Sequence, residues 1–275
     1  MDRILFATDL SGRSDRALDR ALLLTASSGA KLAVVHIIQK DPYLPKSDVE
    51  RELEEAIGRL GKTLEDTVGD VGAVPEHKVA VGDPAEEILK FSQGFNADLI
   101  VVGLSKVFSF ESLFRGTTVD KVIAKSTVPV LIVKSRPKRE YRHALVALDQ
   151  SFSSRSALIA ALKLAPDARF TIVHAVDSIK PDSAELEHIK DEIVGVCQRC
   201  FKEALARDGE KCEFEVHIRV GSGGDVVCNH VDNVKPDLVS FGRSNKTGLR
   251  ALVIGSTARI LIEHLQCDML VAPAR

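Results

Sequence analysis

Cysteine is scarce in this chain and confined to one end of it. The 275 residues carry five cysteines, all after residue 190. That is not the disulfide framework of a small secreted domain. An excess of one charge is missing too. Lysine and arginine number 37 and aspartate and glutamate 39, for a net charge of −2. The balance offers no electrostatic basis for binding nucleic acid or an anionic membrane. No apolar run approaches the roughly 18 residues of a membrane span. No charged, apolar and small-residue leader precedes the first strand pattern. A cytoplasmic protein is the expectation. A Walker-type Gly-Lys-Ser/Thr element is absent, and no dedicated catalytic constellation recurs, so no enzyme is expected.

What is present is ordinary globular composition, 45% hydrophobic and 28% charged, in a length that suits two domains. The chain repeats itself. "RILFATDLSGRSDRAL" (3–18) returns as "HALVALDQSFSSRSAL" (143–158), and "KLAVVHI" (31–37) as "RFTIVHA" (169–175). "HKVAVGD" (77–83) matches "VHIRVGS" (216–222), and "NADLIVVGLSK" (96–106) matches "KPDLVSFGRSN" (235–245). "FRGTTVDKVI" (114–123) matches "VIGSTARILI" (253–262). Asp9 and Asp149 lie 140 positions apart, His36 and His174 138, and Gly103 and Gly242 139. One unit has been duplicated. The domains are expected at 1–137 and 141–275, joined by the polar stretch "SRPKREY" (135–141).

Within each unit, apolar β-rich runs alternate with helical patterns. Strands are expected near 3–9, 31–38, 77–82, 98–103 and 129–134, then 142–149, 169–176, 213–220, 237–242 and 268–272. Helices are expected near 14–28, 47–69, 84–95 and 117–126, then 153–165, 182–208, 223–233 and 256–265. Runs such as "DLIVVG" are apolar throughout rather than alternating, which suits strands covered on both faces. The fold class is α/β, with two tandem doubly wound domains. Each is a five-stranded, mostly parallel sheet with helices on both faces. Asp83 and Pro84 have the chemistry of a helix cap and first position. Thr117 and Asp120 have capping-box spacing.

In such sheets ligands bind beyond the carboxyl ends of the strands, where strand order switches. Asp9 and Asp149 end the first strands, His36 and His174 the second, and Gly103 and Gly242 the fourth. Gly116-Thr117-Thr118 and Gly255-Ser256-Thr257 open the last helices, whose unpaired N–H groups suit a phosphate. Each group also has a structural reading: hydroxyls as caps, aspartates as turn residues, histidines as core.

The strand-end Asp, the "VVH" second strand, the "VGDP" segment, the "DLIVVG" strand and the "GT" or "GS" helix opening together resemble the universal stress protein family. The resemblance covers nearly the whole chain, twice. The family's ATP-binding members carry Gly-x-x-Gly, nine residues, then Gly-Ser or Gly-Thr. Here the outer frame stands both times, and the middle Gly is replaced by Lys106 and by Asn245. The resemblance implies a Rossmann-like, adenine nucleotide alpha hydrolase-like fold binding ATP, with or without Mg. It puts Thr8 and Asp9, or Asp149, beside adenine and ribose, and Ile37 or Ala175 along the adenine pocket. Val102 and Gly103, or Phe241 and Gly242, floor the ribose. Gly116, Thr117 and Thr118, or Gly255, Ser256 and Thr257, hold phosphates. Lys106 either compensates for the missing Gly with an ammonium group or fills the loop, and Asn245 tolerates a Gly-like backbone. Arg115 and Lys121, or Arg243, Lys246 and Arg259, add positive charge. The two fifth strands are expected to pair as an internal pseudo-dimer, and a homodimer is compatible with the same pattern.

Two other motifs compete. Cys197 and Cys200 share a helix face and would need Cys212 with His188 or His217 to hold zinc. Their place inside a long helix favours plain packing. "GSGGD" (221–225) is similar to the Ser-Gly-Gly-x-Asp loop of ATP pyrophosphatases, but it follows the third strand instead of the first and reads more simply as a turn into a helix. "FSFESLF" (108–114) reads as a lid or an apolar contact. Three functions follow: a nucleotide-binding regulator in stress response, a scaffold with degenerate sites, or an enzyme on an adenylylated or phosphorylated metabolite.

Overall fold

The computed structural model describes residues 1–12, 14–68, 74–104, 117–176, 181–205, 213–243 and 255–273. The chain divides into two compact units, Met1–Val128 with Ile132–Lys138 and Arg139–Arg275 with Pro129–Leu131.

The first half runs β1 (Arg3–Thr8), α1 (Asp15–Ser28), β2 (Lys31–Gln39), α2 (Lys46–Val68), β3 (Glu76–Gly82), α3 (Pro84–Phe95), β4 (Leu99–Gly103), α4 (Thr118–Lys125) and β5 (Val130–Val133). Its strand order is β3-β2-β1-β4-β5, with β1 parallel to β2 and β4, and β2 parallel to β3. The second half runs β6 (His143–Ala147), α5 (Phe152–Leu164), β7 (Arg169–Val176), α6 (Ser183–Leu205), β8 (Phe214–Val220), α7 (Gly223–Val234), β9 (Leu238–Gly242), α8 (Ser256–His264) and β10 (Asp268–Ala272). Its order, β10-β9-β6-β7-β8, is the same topology, again with parallel pairings. In each half the order reverses beside the first strand, which opens a crevice at the carboxyl ends.

The uninterrupted apolar strands are covered on both faces. All four residues of β5 and all five of β10 are buried. Burying one such aliphatic side chain contributes about 1.5–3 kcal/mol. Polar groups inside are mostly bonded, as burial requires. Ser240 Oγ donates to the Ala157 carbonyl at 2.9 Å, and the Tyr141 hydroxyl donates to Asp268 at 2.7 Å. Cys197 and Cys200 are buried on α6. Phe201 on the same helix stacks on Phe214 and meets Phe170 edge-on.

Local chemistry sets the boundaries. Asp83 caps α3 by accepting the Glu86 N–H, with Pro84 in the first turn. Strand β4 starts at Leu99 and not at Asp98, because the Asp98 carboxylate turns back to accept the N–H groups of Asp2 and Arg3 at 2.7 and 3.0 Å. Asp237 does the same for Arg142 and His143 before β9.

Candidate functional site

In the first half, Thr8, Ile37, Val102 and Gly103 stand at the carboxyl ends of β1, β2 and β4, with Asp9 just past β1. Lys106, Arg115, Gly116 and the stretch 108–114 lie outside the described residues. The described groups are largely engaged with one another. Asp9 Oδ1 accepts the Ser11 N–H at 2.9 Å and the hydroxyls of Ser11 and Ser14, each at 2.6 Å. Burial pushes its carboxyl up, but these hydrogen bonds outweigh burial and hold it below its ordinary value. Thr8 Oγ1 accepts the N–H of Leu10, which carries a φ of 55°. At α4, Thr117 and Asp120 form a capping box, and Thr118 is the first helical residue. The Lys121 ammonium pairs with Asp83 at 3.2 Å, linking α4 to the start of α3.

In the second half a cavity of about 610 Å³ opens at the strand ends. It is lined by Asp149, Ala175, Phe241, Gly242, Gly255, Ser256 and Thr257 among others. The second-half residues expected beside adenine, ribose and phosphates therefore line one cavity, apart from Asn245, which lies outside the described residues along with Lys246; Arg243 and Arg259 are not among its lining residues. The volume falls in the usual range of small-ligand pockets. Three helix starts meet here, those of α5 at Ser151, α7 at Ser222 and α8 at Gly255. Helix starts present unpaired N–H groups and partial positive charge. Gly255 at the cap of α8 makes no side-chain cap bond, and the first turn holds no acidic residue. Among the described residues, no side chain closes the start of α8 as Thr117 and Asp120 close that of α4.

Asp149 is held by the matching turn of the second half, as Asp9 is in the first. Its Oδ1 accepts the Ser151 N–H at 2.9 Å, and Ser151 Oγ also caps Ser154 and meets Ser153. Burial pushes the Asp149 carboxyl up, but the bonds from Ser151 and Ser154, with His174 nearby, bring it below its ordinary value, so it is an anion at neutral pH. Gly242 admits the start of α5 at close range. A Cβ there would lie 2.5 Å from the Ser153 carbonyl carbon.

The two histidines are structural. His36 Nδ1 lies 2.9 Å from the Thr8 carbonyl and His174 Nδ1 2.7 Å from that of Leu148. A carbonyl only accepts, so in each half the ring N–H donates and ties the second strand to the first. Among the described residues no group of three or more His, Cys, Asp or Glu is placed to hold a metal. Cys212 lies outside them. Burial raises the Cys200 thiol and drives Cys197 to about 12.

A second cavity, about 650 Å³, lies in the first half along α3 and the amino-terminal parts of β1, β2 and β3. Three of its cations have partners. Arg3 donates to the Phe95 carbonyl at 2.8 Å, Lys90 pairs with Glu87, and Lys78 sits over the Phe91 ring. It contains none of the candidate residues.

The sequence profile described as the universal stress protein family matches residues 1–134 and again 140–273. The chain belongs to the universal stress protein family. A universal stress protein of Thermus aquaticus is 35% identical over 133 residues, 48% of this chain and 97% of its own. Universal stress protein E of Salmonella typhi is 26% identical over 204 residues, 68% of this chain and 64% of its own. The crystal structure of a universal stress protein from Archaeoglobus fulgidus covers 99% of this chain and 96% of that one, with a TM-score of 0.72 at 20% identity. That likeness concerns the fold. The two profile matches fall one on each copy of the repeat, so this universal stress protein is a tandem of two family domains.

Sequence reasoning missed several residues of the second-half cavity. Ser151, Phe152, Ser153, Ser154 and the Gly221–Gly223 turn all line it. The turn does lead into a helix as expected, with Ser222 as cap and Asp225 in the first turn. One signal for Phe152 was available: the aligned repeats place Gly12 opposite it.

Proposed function

We propose that this universal stress protein is a regulatory nucleotide-binding protein, and that its second half takes ATP in the cavity at the ends of β6, β7 and β9. The observation that carries this reading is the open start of α8 facing that cavity alongside the Asp149 carboxylate. The helix start suits phosphates. An anionic carboxylate fits hydroxyl or amine hydrogens, as ribose and adenine offer. The choice of adenine follows the family resemblance. Among the described residues no His, Cys or Lys lines the cavity to pair as nucleophile or base with its hydroxyls, which supports a sensing role over turnover.

The first half contributes in another way. Its helix start is occupied by Thr117 and Asp120, so an anion there would meet a carboxylate where it needs free N–H groups. This favours the first half as a folded partner that does not take phosphate.

The test is to purify the protein natively, heat-extract it and identify released nucleotide by mass spectrometry, with thermal melts in excess Mg-ATP alongside. Co-purified adenine nucleotide or a rise in Tm is expected. No nucleotide and no shift overturns the reading.

A further inference from the structure

Phe152 stands on the rim of the second-half cavity with 56% of its surface exposed. A large apolar ring in water is unused burial. It is the first residue of α5, where the Cα–Cβ bond leans toward the helix start and so carries the ring past the end of the helix.

The segment that presents it is firmly bonded. Ser151 Oγ accepts the Ser154 N–H at 3.2 Å and lies 3.1 Å from Ser153 Oγ. Ser154 Oγ donates to the carbonyls of Asp149 and Ser151. Strand β9 holds the same turn from below, through the side-chain-free face of Gly242. A ring held on such a turn loses little freedom when a ligand covers it. The first-half counterpart is Gly12, so this ring belongs to the second half alone.

We propose that Phe152 is a specificity-determining residue: its ring packs on the planar base of the bound nucleotide. The site thereby selects a nucleotide over a bare polyphosphate. This rests on the nucleotide reading of the cavity and adds the part of the ligand that the helix starts cannot recognise, since they read only negative charge. Aromatic faces bind bases by stacking.

The chain has no tryptophan, so Phe152→Trp installs a single tryptophan on the rim, which can be excited apart from the two tyrosines. ATP and inorganic tripolyphosphate are titrated into the full-length wild type, Phe152→Ala and Phe152→Trp. Phe152→Ala is expected to weaken ATP roughly tenfold, the scale of one lost stacking contact, and to leave tripolyphosphate unchanged. Phe152→Trp is expected to keep ATP affinity and show saturable quenching with ATP but not with tripolyphosphate. If the wild type binds ATP and Phe152→Ala binds it equally, or loses both ligands equally, the role of Phe152 is overturned and the nucleotide reading stands. If the wild type binds neither ligand, both fall. Should Phe152→Ala fail to fold by circular dichroism, the tryptophan signal decides alone: no quenching at saturating ATP overturns the proposal.

Discussion

Thr117 and Asp120 clasp each other across the first turn of α4. The Thr117 hydroxyl accepts the Asp120 N–H at 3.2 Å, and the Asp120 carboxylate accepts the Thr117 N–H at 3.0 Å. Their repeat counterparts are Ser256 and Arg259, a pair that lacks the carboxylate such a clasp needs. Thr117→Ala is therefore expected to lower stability by about 1 kcal/mol in urea denaturation while leaving ATP affinity alone. Ser256→Ala is expected to do the reverse, weakening ATP with little change in the urea midpoint.

The sign of the charge at the fourth residue of each cap is the sharper test. Arg259→Asp puts the first half's carboxylate at the start of α8. ATP should bind roughly three- to thirtyfold more weakly, the sum of a lost favourable and a gained unfavourable charge near a helix start. The effect should shrink with added salt. Calorimetric titration at two ionic strengths reads both.

Gly242 is a packing requirement. With a Cβ 2.5 Å from the Ser153 carbonyl carbon and 2.6 Å from the Ser154 nitrogen, Gly242→Ala must move backbone. A loss of about 1–3 kcal/mol is expected, seen as a lower Tm, together with weaker ATP binding as the α5 turn shifts.

How much of this was legible beforehand can be judged residue by residue. The duplicated pattern, the uninterrupted apolar strands and the caps at Asp83 and Thr117 depend on neighbours in sequence, so the order of elements could be read directly. The bonds of Asp98 to Asp2 and Arg3 could not, because no local pattern marks a partner 96 positions away. Nor did any local pattern mark the ion pair of Lys121 with Asp83, 38 positions away. The difference between the two sites was written in Asp120 and Arg259, but its weight appeared only once Thr117 was seen to be closed and α8 open.

Two histidines should make the second half sensitive to acid. His230 and His217 are in ring contact, with centroids 4.6 Å apart. Among the described residues His230 Nε2 is buried with no hydrogen-bond partner. Burial, with His217, Arg219 and His143 close by, lowers the His230 pKa against the pull of Glu215. Burial and Arg169 lower that of His143 against Asp237 and Glu215. A depressed folded pKa means that the unfolded chain takes up protons first as pH falls. The stabilisation is thus complete above the unfolded value of about 6.5 and is lost as pH drops from there through the folded value. His230→Phe, which copies Phe91 of the first half, should flatten the fall in Tm between neutral and mildly acid pH.

The thiols of Cys197 and Cys200 should be inert while the chain is folded. A thiol held near 12 is almost wholly protonated at pH 8, and the thiolate is the reactive form. A disulfide reagent should modify this pair only at the rate of unfolding, and a chelator should leave the Tm unchanged. Fast native labelling at Cys197 would overturn this view.

The carboxylate of Asp98 has a consequence in time. Strand β1 is gripped at Arg3 by a residue 95 positions downstream and lies between β2 and β4. During synthesis its β2 edge can pair early, but its other edge stays open until β4 has left the ribosome. At about 5–20 residues per second that interval is on the order of 5–20 s, and β6 waits again for Asp237. Each half therefore carries one open apolar edge on its first strand through most of its own synthesis.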